Sequence, residues 1–138
     1  MDFHNLFSIN GKTALITGAA AGIGNGIAKA FAALGCAVTV ADIDGDAANR
    51  TAEDIKKSAG RAIATICDVV QPDDVKAAVA MTVETFGGLD ILVNNAGIAM
   101  RAKAEEMTDE QWDDVADINL KGAFLFCREA GKVMIRAG

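Results

Sequence analysis

A short apolar run that ends in three glycines within seven residues leaves a chain few conformations at that point. Here Lys12-Thr13-Ala14-Leu15-Ile16-Thr17 leads into Gly18-Ala19-Ala20-Ala21-Gly22-Ile23-Gly24, and a helix-like apolar pattern follows at once. The run predicts a buried strand. The glycines predict a sharp turn in which backbone approaches a ligand with no side chain in the way. The helix beyond offers free N–H groups and partial positive charge at its start. A strand, turn and helix joined in this way are built to hold a phosphate. The spacing is not G-x-G-x-x-G/A, because Ile27 occupies the last small position; T-G-x-x-x-G-I-G is a different turn with the same physics.

The rest of the chain repeats the rhythm. Short runs rich in Ile, Val, Leu and Ala over 14–17, 37–41, 62–67 and 89–93 predict strands covered on both faces. Helical stripes lie between them: Ile27, Phe31 and Leu34; Ala48, Ala52, Ile55 and Ala59; Val75, Val79, Val83 and Phe86. Gly35, Gly60 and Gly87 sit just past each stripe, where a left-handed cap is wanted. Pro72 suits a first helical turn, and Thr108 to Gln111 reads as a capping box. The last helix then runs to about 137, with Trp112, Val115, Phe124, Cys127, Val133 and Met134 on its buried face and Gly122 as a weak point. The order β-α-β-α-β-α-β-α predicts an α/β doubly wound parallel sheet in one domain, 1–138.

Composition narrows the partners. Hydrophobic residues at 51% against 23% charged predict a globular chain. A net charge of −6 with no basic face argues against nucleic acid. No apolar run approaches the ~18 residues of a membrane span. Residues 1–11 lack the basic flank and apolar core of a secretory signal. Cys36, Cys67 and Cys127 match no metal or redox spacing and read as reduced, buried thiols of a cytoplasmic protein. With His4 the only histidine, no metal site and no Ser-His-Asp triad is expected.

Two acids stand at predicted strand ends. Asp42 lies 18 residues past Gly24, where a carboxylate accepts from the hydroxyls of an adenosine ribose. It would repel a 2′-phosphate, and no Lys or Arg lies in the glycine loop, so NAD is expected over NADP. Asp44 and Asp46 read as solvated turn acids. Asp68 is either on the ligand edge of the sheet or a cap for the next helix.

Asn94-Asn95-Ala96-Gly97, Asp68-Val69 and Asn119-Leu120-Lys121-Gly122 follow the glycine loop in order. With that loop, they make essentially the whole chain resemble the short-chain dehydrogenase/reductase family. The resemblance implies a Rossmann-type sheet of order 3-2-1-4 with helices on both faces, shortened relative to the family. It implies that Gly18, Ala21 and Ile23 line the pyrophosphate and nearby ribose, with Ala20, Gly22 and Gly24 in the same loop. Asp42, with Ile43 beside it, would meet the adenosine ribose, and Asp68 and Val69 the adenine. Asn95, Ala96 and Gly97 would hold the fourth strand and the nicotinamide-side ribose. Asn119 would be the active-site asparagine that positions a water in the proton relay.

The chain also departs from the family. The acid/base of that chemistry is a tyrosine in Y-x-x-x-K, and this sequence has no tyrosine. Its only serines are Ser8 and Ser58, and Lys121 and Lys132 have no tyrosine to assist. The expectation is the cofactor-binding half of an NAD-dependent oxidoreductase acting between a secondary alcohol and a ketone, inactive as 138 residues. The alternative is a non-catalytic dinucleotide-binding or oligomerisation module. An open edge on the fourth strand and an apolar helix face favour association, as a homo-oligomer, or instability. Trp112 and the phenylalanines are expected in the core, and the segment 100–107, open to a place near a substrate, has no role fixed by its sequence.

Overall fold

A computed structural model describes residues 6–138; His4 and the first residues of the 1–11 stretch lie outside it. Four strands, β1 (Thr13–Thr17), β2 (Ala37–Asp42), β3 (Arg61–Ile66) and β4 (Ile91–Val93), form one parallel sheet in the order β3-β2-β1-β4. The crossovers are α1 (Gly22–Ala33), α2 (Gly45–Lys57) and α3 (Pro72–Phe86). After β4 come a short 3-10 turn (Ala104–Glu106), α4 (Asp109–Ala116), a π turn (Asp117–Lys121) and α5 (Gly122–Ala137).

Alternation along β1 assigns the two faces. Leu15 packs with Val75, Ala78 and Val79 of α3 and Leu125, Phe126 and Ala130 of α5. Ile16 packs with Ala28 and Ala32 of α1 and Ala48, Ala52 and Ile55 of α2. Alanines form the inner surface of α1 and α2, so both helices lie close on the sheet. The larger stripe predicted for α1 flanks this contact instead: Ile27 and Phe31 are half-buried, and Leu34 is exposed.

β4 has only three ladder residues, and side chains hold both its ends. At the start, Asp90 accepts the Thr13 N–H at 2.8 Å, so Leu89 is buried but precedes the strand. At the far end, Thr17 Oγ1 accepts from the N–H groups of Asn95 and Ala96, each at 3.0 Å.

The predicted helix starts are present. Pro72 opens α3, and Thr108 and Gln111 form a reciprocal capping box on α4. Asp44, read as a solvated acid, caps α2 by accepting from Ala47 N at 2.9 Å. Gly35 and Gly87 are left-handed (φ +85° and +86°), but after α2 the left-handed residue is Ala59 (φ +61°), not Gly60. Gly60 is required for space: a Cβ there would come 2.6 Å from Ile55 Cγ2. Its N–H reaches Ile55 O and the Ala59 N–H reaches Lys56 O, completing a Schellman end.

The last helix corrects the sequence expectation most. Gly122 is regular helix (φ −57°, ψ −47°), buried against Val69; the irregularity is the π turn just before it. One extra residue rotates everything downstream by about 100° relative to a uniform helix. Leu125, Phe126 and Ala130 therefore face the core. Trp112 is 66% and Phe124 56% exposed. Cys127 is exposed too, whereas Cys36 and Cys67 are buried as expected.

Between β2 and α3, Thr39 and Thr82 are fully buried. The Thr82 hydroxyl lies 2.8 Å from both the Ala78 carbonyl and the Thr39 hydroxyl. A hydroxyl has one proton, so Thr82 donates to the carbonyl and accepts from Thr39.

Thr82→Val strands the Thr39 proton in a dry core and is expected to cost about 1–3 kcal/mol by urea melting, while Thr39→Val/Thr82→Val together costs less than Thr82→Val alone. Ala59→Gly relieves left-handed strain at an exposed site and is expected to raise stability by about 0.5–1 kcal/mol, a gain of about 3 °C in thermal melting.

Candidate functional site

The carboxyl ends of the strands surround a cleft of about 460 Å³. At the exit of β1 the chain turns through Gly18 (φ +62°), where a Cβ would sit 2.8 Å from Ala96 Cα, so only glycine lets the two backbones meet. Gly22 (φ +57°) opens on empty space. Between them Ala21 is extended and gives α1 no side-chain cap. The other helices that start from a loop carry acids in their first turns: Asp46 in α2, Asp73 and Asp74 in α3, Asp109 and Glu110 in α4. α1 has none. Its first N–H groups and positive dipole end therefore face the cleft uncompensated.

Asp42 stands at the end of β2 and lines the cleft. One carboxylate oxygen accepts the Ala20 N–H and the other the Asp44 N–H, each at 3.0 Å. Those bonds fix its rotamer, and carboxylate lone pairs remain for a hydroxyl donor. Asp68 also lines the cleft and accepts the Val70 N–H at 3.1 Å, while its own N–H goes to Asp74. It caps no helix, since Gln71 is the N-cap of α3, and it stands on the cleft side of the sheet.

Asn95 donates through its side chain to the carbonyls of Thr17 and Gly18, both at 3.0 Å. Asn119, in the π turn, clamps Ile98: Oδ1 accepts the Ile98 N–H at 2.8 Å and Nδ2 donates to the Ile98 carbonyl at 2.9 Å. The cleft brings together Gly18, Ala21, Gly22, Ile23, Asp42, Ile43, Asp68, Val69, Asn95, Ala96 and Gly97. Ala20, Gly24 and Asn119 stand behind it, as supports. Sequence reasoning missed Ile98 and Ile118, apolar walls of the cleft, and Thr17, whose hydroxyl joins β1 to β4. The threonine was visible as the T of the T-G motif; the two isoleucines carry no local signal. The segment 100–106 is exposed, and none of its residues lines this cleft.

Cys67 also lines the cleft. Burial first, then the charges of Asp74 and Asp68, push its thiol up to about 12. Burial raises Cys36 as well.

The strand order with helices on both faces defines a Rossmann-type fold. The chain belongs to the short chain dehydrogenase family, whose profile matches residues 12–138. It is 42% identical over 132 residues to D-threitol dehydrogenase of Mycolicibacterium smegmatis, covering 96% of this chain and 51% of that protein. It is 46% identical over 127 residues to galactitol 2-dehydrogenase of Agrobacterium fabrum, covering 92% and 48%. An NAD-dependent glycerol dehydrogenase of Listeria innocua is 37% identical over 99% of this chain and 52% of its own length. The crystal structure of a short-chain type dehydrogenase/reductase from Mycobacterium marinum superposes with a TM-score of 0.94 at 38% identity, covering 99% of this chain and 56% of that one. The chain thus spans about half the length of the curated relatives it matches. Among the described residues no helix is long and apolar enough to cross a membrane.

A thiol reagent is expected to label Cys127 in the native chain and to reach Cys36 and Cys67 only on unfolding. The unfolded Cys67 thiol ionises near 9.0 and the native one near 12, so the unfolded state loses its proton first. Stability is therefore expected to hold below pH 9 and to fall as pH rises toward 12, and Cys67→Ala to flatten that fall in urea melts.

Proposed function

We propose that the chain is the cofactor-binding half of an NAD-dependent oxidoreductase that moves hydride between a secondary alcohol or ketone and nicotinamide. One observation carries the reading. The uncapped, acid-free start of α1 faces the same cleft as the Asp42 carboxylate. A ligand that meets both must present an anion at one end and hydroxyl donors at the other, as an adenosine diphosphate moiety does. When bound, NAD supplies the hydride acceptor. The chain's own groups do the rest. Gly18, Ala21, Gly22 and Ile23 take the pyrophosphate side, Asp42 accepts the ribose hydroxyls and opposes a 2′-phosphate, and Asp68 and Val69 border the adenine. Asn95, Ala96 and Gly97 hold the nicotinamide side. Asn119 keeps the Ile98 backbone in place, and we assign it the positioning of a water in a proton relay.

Reduction of a ketone also needs a proton for the developing alkoxide. These 138 residues contain no tyrosine to supply it, so this chain by itself is expected to bind NAD without turnover. The alternative, supported by the same open α1 start beside Asp42, is a non-catalytic dinucleotide-binding or oligomerisation module. The implied partners are a small alcohol or ketone and a second copy of the chain, for which the exposed Trp112, Phe124 and Ile135 are support. Three free thiols support a cytoplasmic setting.

By calorimetry, Asp42→Ala is expected to lower NAD affinity by about tenfold and to erase the preference for NAD over NADP; unchanged affinity overturns the assignment. Turnover of NAD with a panel of alcohols by the full-length gene product favours the oxidoreductase, and binding without turnover favours the module.

A further inference from the structure

The glycine loop is gripped from behind at Ala20, on the two successive peptides that this residue joins. The Ala20 N–H is held by Asp42 at 3.0 Å. The Ala20 carbonyl accepts from the hydroxyl of Thr51 at 3.1 Å. That hydroxyl accepts in turn from Asn25 Nδ2 at 2.7 Å, and the same amide lies 3.5 Å from the carbonyl, at the limit of a bond. Thr51 comes from the middle of α2, 31 residues on, and is only 4% exposed. Its companions on that face are Ala48, Ala52 and Ile55, so a hydroxyl there is not explained by packing.

A trans peptide directs its C=O and the following N–H to opposite sides, and the Ala20–Ala21 peptide is trans. With the Ala20 carbonyl turned back toward α2, the N–H of Ala21 is turned the other way, toward the cleft that Ala21 lines. A flip of the same peptide would offer a carbonyl oxygen to an anion in place of a donor. We propose that Thr51 is a positioning residue for the diphosphate. Its hydroxyl, buttressed by Asn25, locks the Ala20–Ala21 peptide with the N–H presented to the ligand. The inference rests on the reading of the cleft as a dinucleotide site and adds to it a residue that never touches the ligand.

The test titrates the ¹⁵N-labelled chain separately with ADP and with adenosine, which lacks the phosphates. Thr51→Val, nearly the same shape without the hydroxyl, is expected to weaken ADP about tenfold and to leave adenosine within about twofold. The Ala21 amide resonance, shifted by ADP in the unaltered chain, is expected to stop responding. Thr51→Ser is expected to restore both. Parallel loss of ADP and adenosine, or ADP affinity unchanged in Thr51→Val, overturns the inference and leaves the dinucleotide reading standing. If the unaltered chain binds adenosine and ADP equally weakly, the diphosphate site itself is overturned, and this inference with it.

Discussion

Everything at the ligand edge of this molecule depends on the junction between Thr17 and Asn95. Thr17 is 1% exposed, and its hydroxyl accepts from two consecutive N–H groups after β4. Asn95 returns two bonds to the carbonyls that end β1. Three ladder residues alone would leave β4 weakly registered. These four bonds, gathered around the buried Thr17, set where β1 and β4 part, and the parting is the cleft. The close approach they impose excludes a side chain at residue 18. The glycine is thus demanded by the neighbouring strand as much as by any ligand.

The electrostatic layout of the helices marks the same place. α2, α3 and α4 supply their own negative charge at their N-termini, and α2 also ends in Lys56 and Lys57. Of the three, only α2 is complemented at both ends. α1 breaks the rule, with no cap and no acid, and does so where two left-handed glycines keep side chains away.

Much of this was legible because it is local. Strand, turn and helix order followed from short apolar runs and glycine punctuation, and each of the four strands formed within two residues of its expected bounds. Of the residues read from motifs, all but Ala20, Gly24 and Asn119 line the cleft directly, while its apolar walls Cys67, Ile98 and Ile118 were not among them. The errors share a cause: they needed a neighbour not yet known. Gly60 reads as a left-handed cap, yet it is small because Ile55 crowds it, and the strained position falls to Ala59. Phe124 and Cys127 read as core, yet beyond the π turn at Asp117–Lys121 the helix buries Leu125, Phe126 and Ala130 instead, and Trp112, ahead of that turn, is exposed as well.

The amino-acid sequence by itself determined the alternation of strands and helices, the glycine turn after β1 and the carboxylate at the end of β2, because each is a matter of spacing within a few residues. Only the tertiary structure decided what that carboxylate holds, which threonines lock the loop, and which face of the last helix is buried. Those outcomes turn on hydrogen bonds between residues 20 to 80 apart in the chain and on a single extra residue in one helical turn. Such contacts exist only once the sheet has brought its strand ends together.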